Sequence, residues 1–350
     1  MHIRRGLEQF ERDNLSSYAA LSAESAGRRR PEEPCPVRTC YQRDRDRIIH
    51  LCRAFRRLAH KTQVFISPRE DHLRTRLSHT LEVSQIARTI AKALRLNEDL
   101  TEAIALAHDV GHTPYGHSGE AALDEAYRRY DAEASFRHHE HSLRVVDELE
   151  RDGAGLNLTA ETREGIVLHS KGDADLAGVL AAEWQGTLEA LVVCVSDRIA
   201  YLNHDLDDCL HAGLITTDDL PAELLEVLGR THSARVGTMV EDVIEHSLDA
   251  PSLRMTAAVL QATDELKRQM FETVYWRPKL REEGEKVRGI IGGLFEVYMS
   301  NDSALREACG EVPGDAKERA RLVCDYLAGM TDRFASRQYT KHFLPSSFSF

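Results

Sequence analysis

The stretch Ala-Leu-Ala-His-Asp-Val-Gly-His, residues 105–112, ends an apolar run with a histidine and an aspartate side by side, His108 and Asp109. A neutral imidazole beside a carboxylate suits a divalent cation such as Mn, Fe, Co, Ni or Zn. Two further candidate ligands are His79, in Arg-Leu-Ser-His-Thr-Leu-Glu-Val, and Asp197, in Val-Ser-Asp-Arg-Ile-Ala-Tyr. The sequence thus predicts a site made of two histidines and two aspartates.

Helical periodicity turns the first of these side chains toward the interior. His79 shares one face with Val83, Ile86 and Ile90, at positions i, i+4, i+7 and i+11. A single histidine on such a face is more often a core residue bonded to a backbone carbonyl. His79 alone therefore does not identify a metal ligand, and the same alternative holds for His108.

A third helix gives a sharper indication. Asp197, Tyr201 and Asp205 recur every four residues, after the apolar run 191–195. A carboxylate at the end of so apolar a stretch is costly unless it is paired or ligates a metal. Four ligands from three helices would leave coordination positions open, which catalysis requires and a structural site lacks.

The composition of the chain limits the classes of function. Its 350 residues suffice for one large domain or two smaller ones, and the net charge of -12 argues against a general nucleic-acid or membrane surface. Seven scattered cysteines form no C-x-x-C pair. No stretch is apolar over about 18 residues. The N-terminus does not read as a signal peptide, so we expect a cytoplasmic protein with reduced thiols.

The chain divides into three parts. We predict an N-terminal helix and flexible linker over residues 1–37, a catalytic core over 38–212, and a helical C-terminal region over 213–350 packed on that core. Helices are expected over about 74–96 and from the N-cap Asn97 to the C-cap Gly111. The run Val-Phe-Ile at 64–66, stopped by Pro68, allows at most a small β-hairpin, so the fold class is all-α.

Residues 38–76 are strongly basic, with eleven arginines and lysines against four acids. They form either a solvated helix face with internal ion pairs or a pocket for a polyphosphate, whose oxygens guanidinium groups match. Arg76 lies three residues before His79, which on a helix places it beside the metal. Metal plus arginine is typical of phosphoester chemistry. The lack of a Gly-rich Walker-type loop argues against a kinase or P-loop ATPase.

A second group of histidines follows the doublet, and its members are His112, His117, His138, His139 and His141. Some of them could equally be exposed loop residues. Histidine is the usual proton carrier near neutral pH. Glu120, three residues after His117, would orient that imidazole if a helix begins there.

Taken together, these strings resemble the HD-domain deoxynucleoside triphosphate triphosphohydrolases, which include bacterial dGTPase-like proteins and the mammalian SAM-and-HD-domain dNTPase. The likeness is dense over residues 40–215 and returns in Ala-Gly-Met-Thr-Asp-Arg at 328–333. The strings that carry it are Arg-Asp-Arg-Asp-Arg-Ile-Ile-His (43–50), Ala-Phe-Arg-Arg-Leu (54–58), Lys-Thr-Gln-Val-Phe (61–65), Arg-Thr-Arg-Leu-Ser-His (74–79), His-Asp-Val-Gly-His (108–112) and Asn-His-Asp-Leu-Asp-Asp (203–208).

The resemblance implies an all-helical HD fold and a reaction that cuts a dNTP between the 5′ oxygen and the α-phosphorus. The implied metal ligands are His79, His108, Asp109 and Asp197. The implied catalytic residues are His117, which protonates the leaving oxygen, its carboxylate partner Glu120, and His138 near the phosphates. The implied substrate contacts are Arg76 on the α-phosphate, Tyr201 beneath the 2′ carbon of the sugar, Asp205 on the 3′-hydroxyl, and Gln63 at the sugar edge.

The chain departs from the family pattern at a few positions. His139 and His141 stand where this subtype often carries asparagine and glutamine, and Cys209 and His211 replace a glycine and an arginine. Cys52 and Arg53 stand where smaller residues are common. These departures affect the base preference and any effector site rather than the metal ligands.

The leading hypothesis is a metal-dependent hydrolase of dGTP or other dNTPs, with Mn, Mg, Co, Fe, Ni or Zn as cofactor. The alternatives are an HD phosphohydrolase acting on another nucleotide such as a monophosphate, and a non-catalytic nucleotide or single-stranded DNA sensor. The resemblance further implies a homo-oligomer, a second nucleotide as allosteric effector and weak single-stranded DNA binding. No membrane partner is expected.

Overall fold

A computed structural model describes residues 3–63, 73–170, 172, 174–275 and 277–345. This part of the chain contains seventeen α-helices and no strand of a sheet, which confirms the all-α prediction. In chain order the helices are α1 (Ile3–Asn14), α2 (Cys40–Leu51), α3 (Arg53–Arg57), α4 (Arg76–Ala93), α5 (Glu98–Ala107), α6 (Gly116–Arg128), α7 (His138–Arg144), α8 (Ala160–Leu168), α9 (Leu176–Ala181), α10 (Leu188–His211), α11 (Ala222–Leu228), α12 (His232–Ser247), α13 (Ala257–Met270), α14 (Pro278–Ser300), α15 (Asp302–Cys309), α16 (Ala316–Ala328) and α17 (Asp332–Phe343).

Capping residues set the bounds of the helices that carry the site. Thr75 accepts a hydrogen bond from the backbone N–H of Ser78 and so fixes the start of α4. Asn97 caps α5 in the same way through Leu100, as predicted. Helix α5 ends at Ala107 with His108 as its C-cap, three residues earlier than the predicted cap, because the chain turns tightly through residues 108–112.

Gly111 therefore has a different role from the helix C-cap that we expected. A Cβ atom added there would lie 2.1 Å from the backbone nitrogen of Ser142 and 2.5 Å from the carbonyl carbon of His141. Only glycine allows this close approach of two backbones. The approach brings α7 against the turn that carries the histidine–aspartate doublet.

Three apolar clusters hold the helices together. The largest packs α4, α5, α12 and α13 around α10, whose residues 191–195 are buried. A second joins α6 to the C-terminal helices α14, α16 and α17 through residues such as Leu123, Phe295 and Leu327. A third lies between α2, α5 and α8. The C-terminal region therefore packs directly on α6, the helix that begins beside His117.

Arg28, within the linker that we predicted in residues 1–37, holds the N-terminal segment against the rest of the protein. Arg28 pairs with the fully buried carboxylate of Asp44 and forms an isolated β-bridge with Thr159. Asp44 also accepts hydrogen bonds from the hydroxyls of Thr159 and Thr162, at 2.6 and 2.9 Å. A buried carboxylate needs such partners, so this contact ties the segment to α2 and α8.

The expected hairpin run at 64–66 lies outside the described residues. On either side of it, Thr62 and Thr75 form one isolated antiparallel bridge. Among the described residues, no helix combines the length and the apolar character needed to cross a membrane.

Candidate active site

The four side chains predicted as metal ligands lie together between α4, the end of α5 and α10. The Nε2 atom of His79 lies 3.1 Å from Oδ1 of Asp197 and 3.8 Å from Oδ2 of Asp109. The Nε2 atom of His108 lies 3.6 Å from Oδ1 of Asp109 and 3.9 Å from Oδ1 of Asp197. Two imidazoles and two carboxylates therefore surround one common space.

The ring of His108 is oriented for ligation. Its Nδ1 donates to the carbonyl oxygen of Ala105 at 2.7 Å, which fixes the tautomer and leaves Nε2 as the nitrogen with a lone pair. That Nε2 is buried and has no hydrogen-bond partner among the described residues. An unpaired imidazole nitrogen beside two carboxylates fits a divalent cation, which would accept its lone pair.

The charges within this cluster stabilise one another. Burial alone would raise the pKa of Asp109, but the charges of His108 and Arg76 hold it well below its ordinary value. Burial likewise opposes ionisation of Asp197, whose pKa is lowered by its hydrogen bond to His79. Burial would lower the pKa of His79, yet Asp197 and Asp109 raise it. A bound cation would replace the proton that His79 otherwise holds.

Arg76 lies beside the cluster, as its spacing from His79 predicted. Its Nη1 donates to Oδ2 of Asp109 at 2.6 Å. Its Nε and Nη2 are buried and have no hydrogen-bond partner among the described residues. Buried N–H groups of a guanidinium are costly when unpaired, so an anionic oxygen at this position would be strongly favoured.

A second group of titratable side chains surrounds one carboxylate, Glu120. Nδ1 of His138 donates to Oε1 of Glu120 at 3.0 Å, and Nδ1 of His117 lies 3.3 Å from Oε2. Helix α6 begins at Gly116, which satisfies the condition for pairing His117 with Glu120. The side chain of His117 is 78 % exposed, so it can meet a ligand that enters from solvent.

The pKa shifts in this second group favour an ion pair. Burial would raise the pKa of Glu120, but hydrogen bonds with His117 and His138 hold it far below its ordinary value. Burial would lower the pKa of His138, but Glu120 raises it. At neutral pH Glu120 is therefore a carboxylate that favours the protonated imidazole of His138.

His112 connects the two groups. Its ring stacks on that of His138, with centroids 4.6 Å apart and planes within 15°. Possible ligand atoms of Asp109, His112 and His138 all lie within 4.8 Å of one another. Burial holds the pKa of His112 well below its ordinary value, so this ring is neutral.

His169 is a component of the site that the sequence interpretation missed. Its Nδ1 bonds the carbonyl oxygen of Ile166 at 2.7 Å, and its ring lies 4.9 Å from that of His108. It ends α8 after an apolar run, with the same contact three residues back that His108 makes at the end of α5. That repeated local pattern was the available signal. Burial lowers its pKa to about 3, so it is neutral.

His204 is the second missed residue. It is buried on α10, and its Nε2 lies 2.7 Å from Nδ1 of His79. Its Nδ1 lies 3.0 Å from Oδ1 of Asp205. It lies seven residues after Asp197, on the same face of α10 as Asp197 and Tyr201, so helical spacing was an available signal for it.

The residues predicted to contact a sugar come from two segments of the chain. Tyr201 and Asp205 follow Asp197 along α10, and the guanidinium of Arg198 lies 5.5 Å from the centre of the Tyr201 ring. Gln63 lies near the start of α6, where its backbone carbonyl oxygen is 3.5 Å from the place that a Cβ of Gly116 would take.

Six described arginines of the basic segment pair with acids, many from outside the segment: Arg38 with Asp46, Arg43 and Arg47 with Glu32, Arg45 with Asp99 and Glu102, Arg53 with Asp152, and Arg74 with Glu82, Asp207 and Asp208. Among the described arginines of the segment, Arg76 alone contacts a predicted metal ligand. For these six arginines the interpretation as a face with ion pairs is the better one.

His139 and His141, the last two of the histidines that follow the doublet, have different neighbours in the structure. The ring of His139 is 5.4 Å from that of His138. His141 points away, buried against Phe136 with its Nδ1 3.7 Å from Asp325. It belongs to the contact with the C-terminal region.

This fold and this histidine–aspartate cluster define an HD-domain phosphohydrolase. The model of the HD domain matches residues 76–202, and that of the phosphohydrolase-associated domain matches residues 253–341. The chain is 50% identical to a "Deoxyguanosinetriphosphate triphosphohydrolase-like protein" of Caldanaerobacter subterraneus subsp. tengcongensis, covering 99% of this chain and 97% of the relative. Proteins with the same name from Desulfatibacillum aliphaticivorans and Clostridium perfringens are 49% and 42% identical, each over 99% of this chain and 99% and 98% of the relative.

The chain therefore belongs to the deoxyguanosinetriphosphate triphosphohydrolase-like family of HD-domain proteins, which confirms the resemblance in its motifs.

Proposed function

We propose that this protein hydrolyses deoxynucleoside triphosphates to a deoxynucleoside and inorganic triphosphate, with a divalent metal ion as cofactor. The observation that carries the proposal is Arg76, which bonds the ligand-set carboxylate Asp109 and still has two buried donors without partners among the described residues. Those donors suit a phosphate oxygen placed next to the cluster of His79, His108, Asp109 and Asp197.

A divalent cation in this cluster would supply Lewis acidity toward a phosphoryl oxygen. The chain's own residues would do the rest. Arg76 would hold the α-phosphate. As water attacks the α-phosphorus and its bond to the 5′ oxygen breaks, His117 would give that oxygen a proton. Glu120 would hold His117 in position, and His138 would lie near the phosphates.

The sugar would be contacted by two residues of α10 and by Gln63. Asp205 would accept from the 3′-hydroxyl, and Tyr201 would crowd the 2′ carbon, so that a ribose hydroxyl would be rejected by its size. Gln63 would contact the sugar edge. We further expect a homo-oligomer and a second nucleotide as effector, which gel filtration and mixed-nucleotide assays would test.

Product analysis tests the proposal. The protein is incubated with each of the four dNTPs, with GTP and with a monophosphate control, in Mn²⁺, Mg²⁺, Co²⁺ or chelator, alone and with a second dNTP, and the products are separated by ion exchange. We expect deoxynucleoside plus triphosphate, lost with chelator and in Asp109→Asn, and kept in the exposed control Asp218→Asn. Monophosphate plus pyrophosphate, or hydrolysis of monophosphates only, would assign another phosphohydrolase. Nucleotide binding without any product would assign a sensor.

A further inference from the structure

The C-terminal string at 328–333 meets the segments that hold the proposed catalytic residues. Its Asp332 is the first residue of α17, and both of its carboxylate oxygens are used. Oδ1 accepts from the backbone N–H of Tyr115 at 2.9 Å, across 217 residues of sequence. Oδ2 accepts from the backbone N–H of Thr62 at 2.9 Å, across 270 residues, and from the Thr62 hydroxyl.

Tyr115 has a backbone conformation that needs support. Its φ of 63° and ψ of 23° are left-handed, and Gly116 follows with a φ of 60°. A tyrosine rarely adopts this conformation unless its surroundings enforce it. The Tyr115 hydroxyl also donates to the carbonyl oxygen of Asp332 at 3.0 Å and lies 2.7 Å from the Ser336 hydroxyl. His117, which we propose as proton donor, directly follows Gly116.

The other side of the same junction leads to the substrate contacts. Thr62 precedes Gln63 and forms a bridge with Thr75, which precedes Arg76. A Cβ added at Gly116 would lie 3.3 Å from Nη2 of Arg76 and 3.5 Å from the carbonyl oxygen of Gln63. The segments bearing His117, Gln63 and Arg76 are therefore in direct contact where Asp332 binds two of them.

A second buried contact crosses this junction. Nζ of Lys61 donates to the carbonyl oxygen of Ala328 at 2.8 Å and also to the carbonyl oxygen of His112. Lys61 and Asp332 thus join the same turn, residues 112–116, to the end of α16 and the start of α17. Tyr115 and Ala328 also belong to the apolar cluster that joins α6 to the C-terminal helices.

We propose that Asp332 is a positioning residue which holds the turn before His117 against the segment of Gln63 and Arg76, so that the C-terminal region completes the active site. In naming the three positioned side chains this inference rests on the proposed function. Asp332 itself reaches no reacting atom and acts through the backbones of Tyr115 and Thr62.

The test compares Asp332→Ala and Asp332→Asn with a matched control, Asp315→Ala. Asp315 caps α16 in the same C-terminal region through the N–H groups of Lys317 and Glu318, but it is exposed. We expect Asp332→Ala to lower kcat about 100-fold, with a smaller change in KM, because misplaced catalytic groups cost that order of magnitude. Asp332→Asn keeps one good acceptor, so its kcat should lie between those of wild type and Asp332→Ala.

Hydrogen exchange gives a readout that needs no substrate. Amides of residues 112–118 and 61–63 should exchange faster in Asp332→Ala than in wild type, and not in Asp315→Ala. Equal protection of these amides in Asp332→Ala and wild type would overturn the inference, whether or not the protein hydrolyses dNTPs. So would a kcat within twofold of wild type, or an equal loss in Asp315→Ala at matched melting temperature. If wild type hydrolyses no dNTP but the exchange result holds, the proposed function fails and the positioning role stands.

Discussion

His79 and His204 share a hydrogen bond of 2.7 Å between Nδ1 of the first and Nε2 of the second. The outer nitrogen of each ring faces a carboxylate, Asp197 for His79 and Asp205 for His204. A metal on Nε2 of His79 would leave its proton on Nδ1, so His204 would accept there and donate to Asp205. One bonded chain therefore joins the proposed metal centre to the proposed sugar contact.

We first predict that the hydrogen bond between His204 and His79 supports metal binding. His204→Ala should weaken metal affinity about 10- to 100-fold, because the ring of His79 loses the partner that orients it. His204→Gln should recover part of the loss, since its amide oxygen can accept from Nδ1 of His79. Titration against a chelating dye measures the affinity. His211→Ala, an exposed histidine at the end of the same helix, serves as control, and equal affinities in all variants would contradict the prediction.

The second prediction concerns Arg76. Arg76→Lys should lower kcat/KM roughly 10- to 100-fold, about 1.4 to 2.7 kcal/mol, because an ammonium cannot donate to Asp109 and to a phosphate in the same fork geometry. The metal content of the purified protein should stay unchanged, since the four ligands remain. Arg88→Lys on the same helix, an exposed ion pair with Glu98, should leave both quantities unaltered. Loss of metal in Arg76→Lys would instead assign this arginine a role in metal binding.

The third prediction concerns pH. The pKa of His138 is raised by Glu120, so its contribution to stability is present below the ordinary histidine value of about 6.5 and is lost as pH rises through the raised pKa. The pKa of Glu120 is lowered, so its contribution is present above about 4.3 and is lost only as pH falls below that. In the presence of chelator, the melting temperature of wild type should therefore exceed that of Glu120→Gln by the largest amount between about pH 4.3 and about pH 6.5. A difference that grows from pH 6.5 to 9 would disprove the assigned ion pair.

The fourth prediction concerns Gly111. Gly111→Ala should destabilise the protein by about 1 to 3 kcal/mol, because the new methyl group meets the backbone of α7 and no flexible side chain can yield. Gly237→Ala is the matched control on α12, where a Cβ meets no atom of the described residues within 4 Å. It should stabilise by about 0.5 to 1 kcal/mol. Urea unfolding measures both, and destabilisation by the two substitutions alike would refute the close approach as the reason for Gly111.

Local pattern explains which parts of this molecule could be predicted from sequence. Helical spacing identified the stripe of Asp197, Tyr201 and Asp205, and the N-cap Asn97 gave the start of α5. The predicted end of α5 is wrong, because Gly111 is required by its contact with the distant backbone of α7 and does not cap the helix. The basic segment looked unbalanced, because most of its acidic partners lie far away in the chain.

The residues that sequence reasoning missed depend on contacts between distant segments. His204 meets His79 across 125 positions, and Asp332 meets Thr62 across 270. Periodicity reports only which face of its own helix a side chain occupies. Which helix lies opposite that face is set by packing of the whole fold, and a single sequence does not encode it in any local spacing.

The burial of Asp44 limits where the chain can be shortened. A fragment starting at residue 38 would keep this carboxylate, with Thr159 and Thr162 still donating to it, but would lack Arg28. The missing guanidinium would leave an uncompensated interior charge beneath α8, whose last turn leads to His169. Residues before the core thus act as a counter-ion, and a shortened protein would need Asp44→Asn to be neutral at that position.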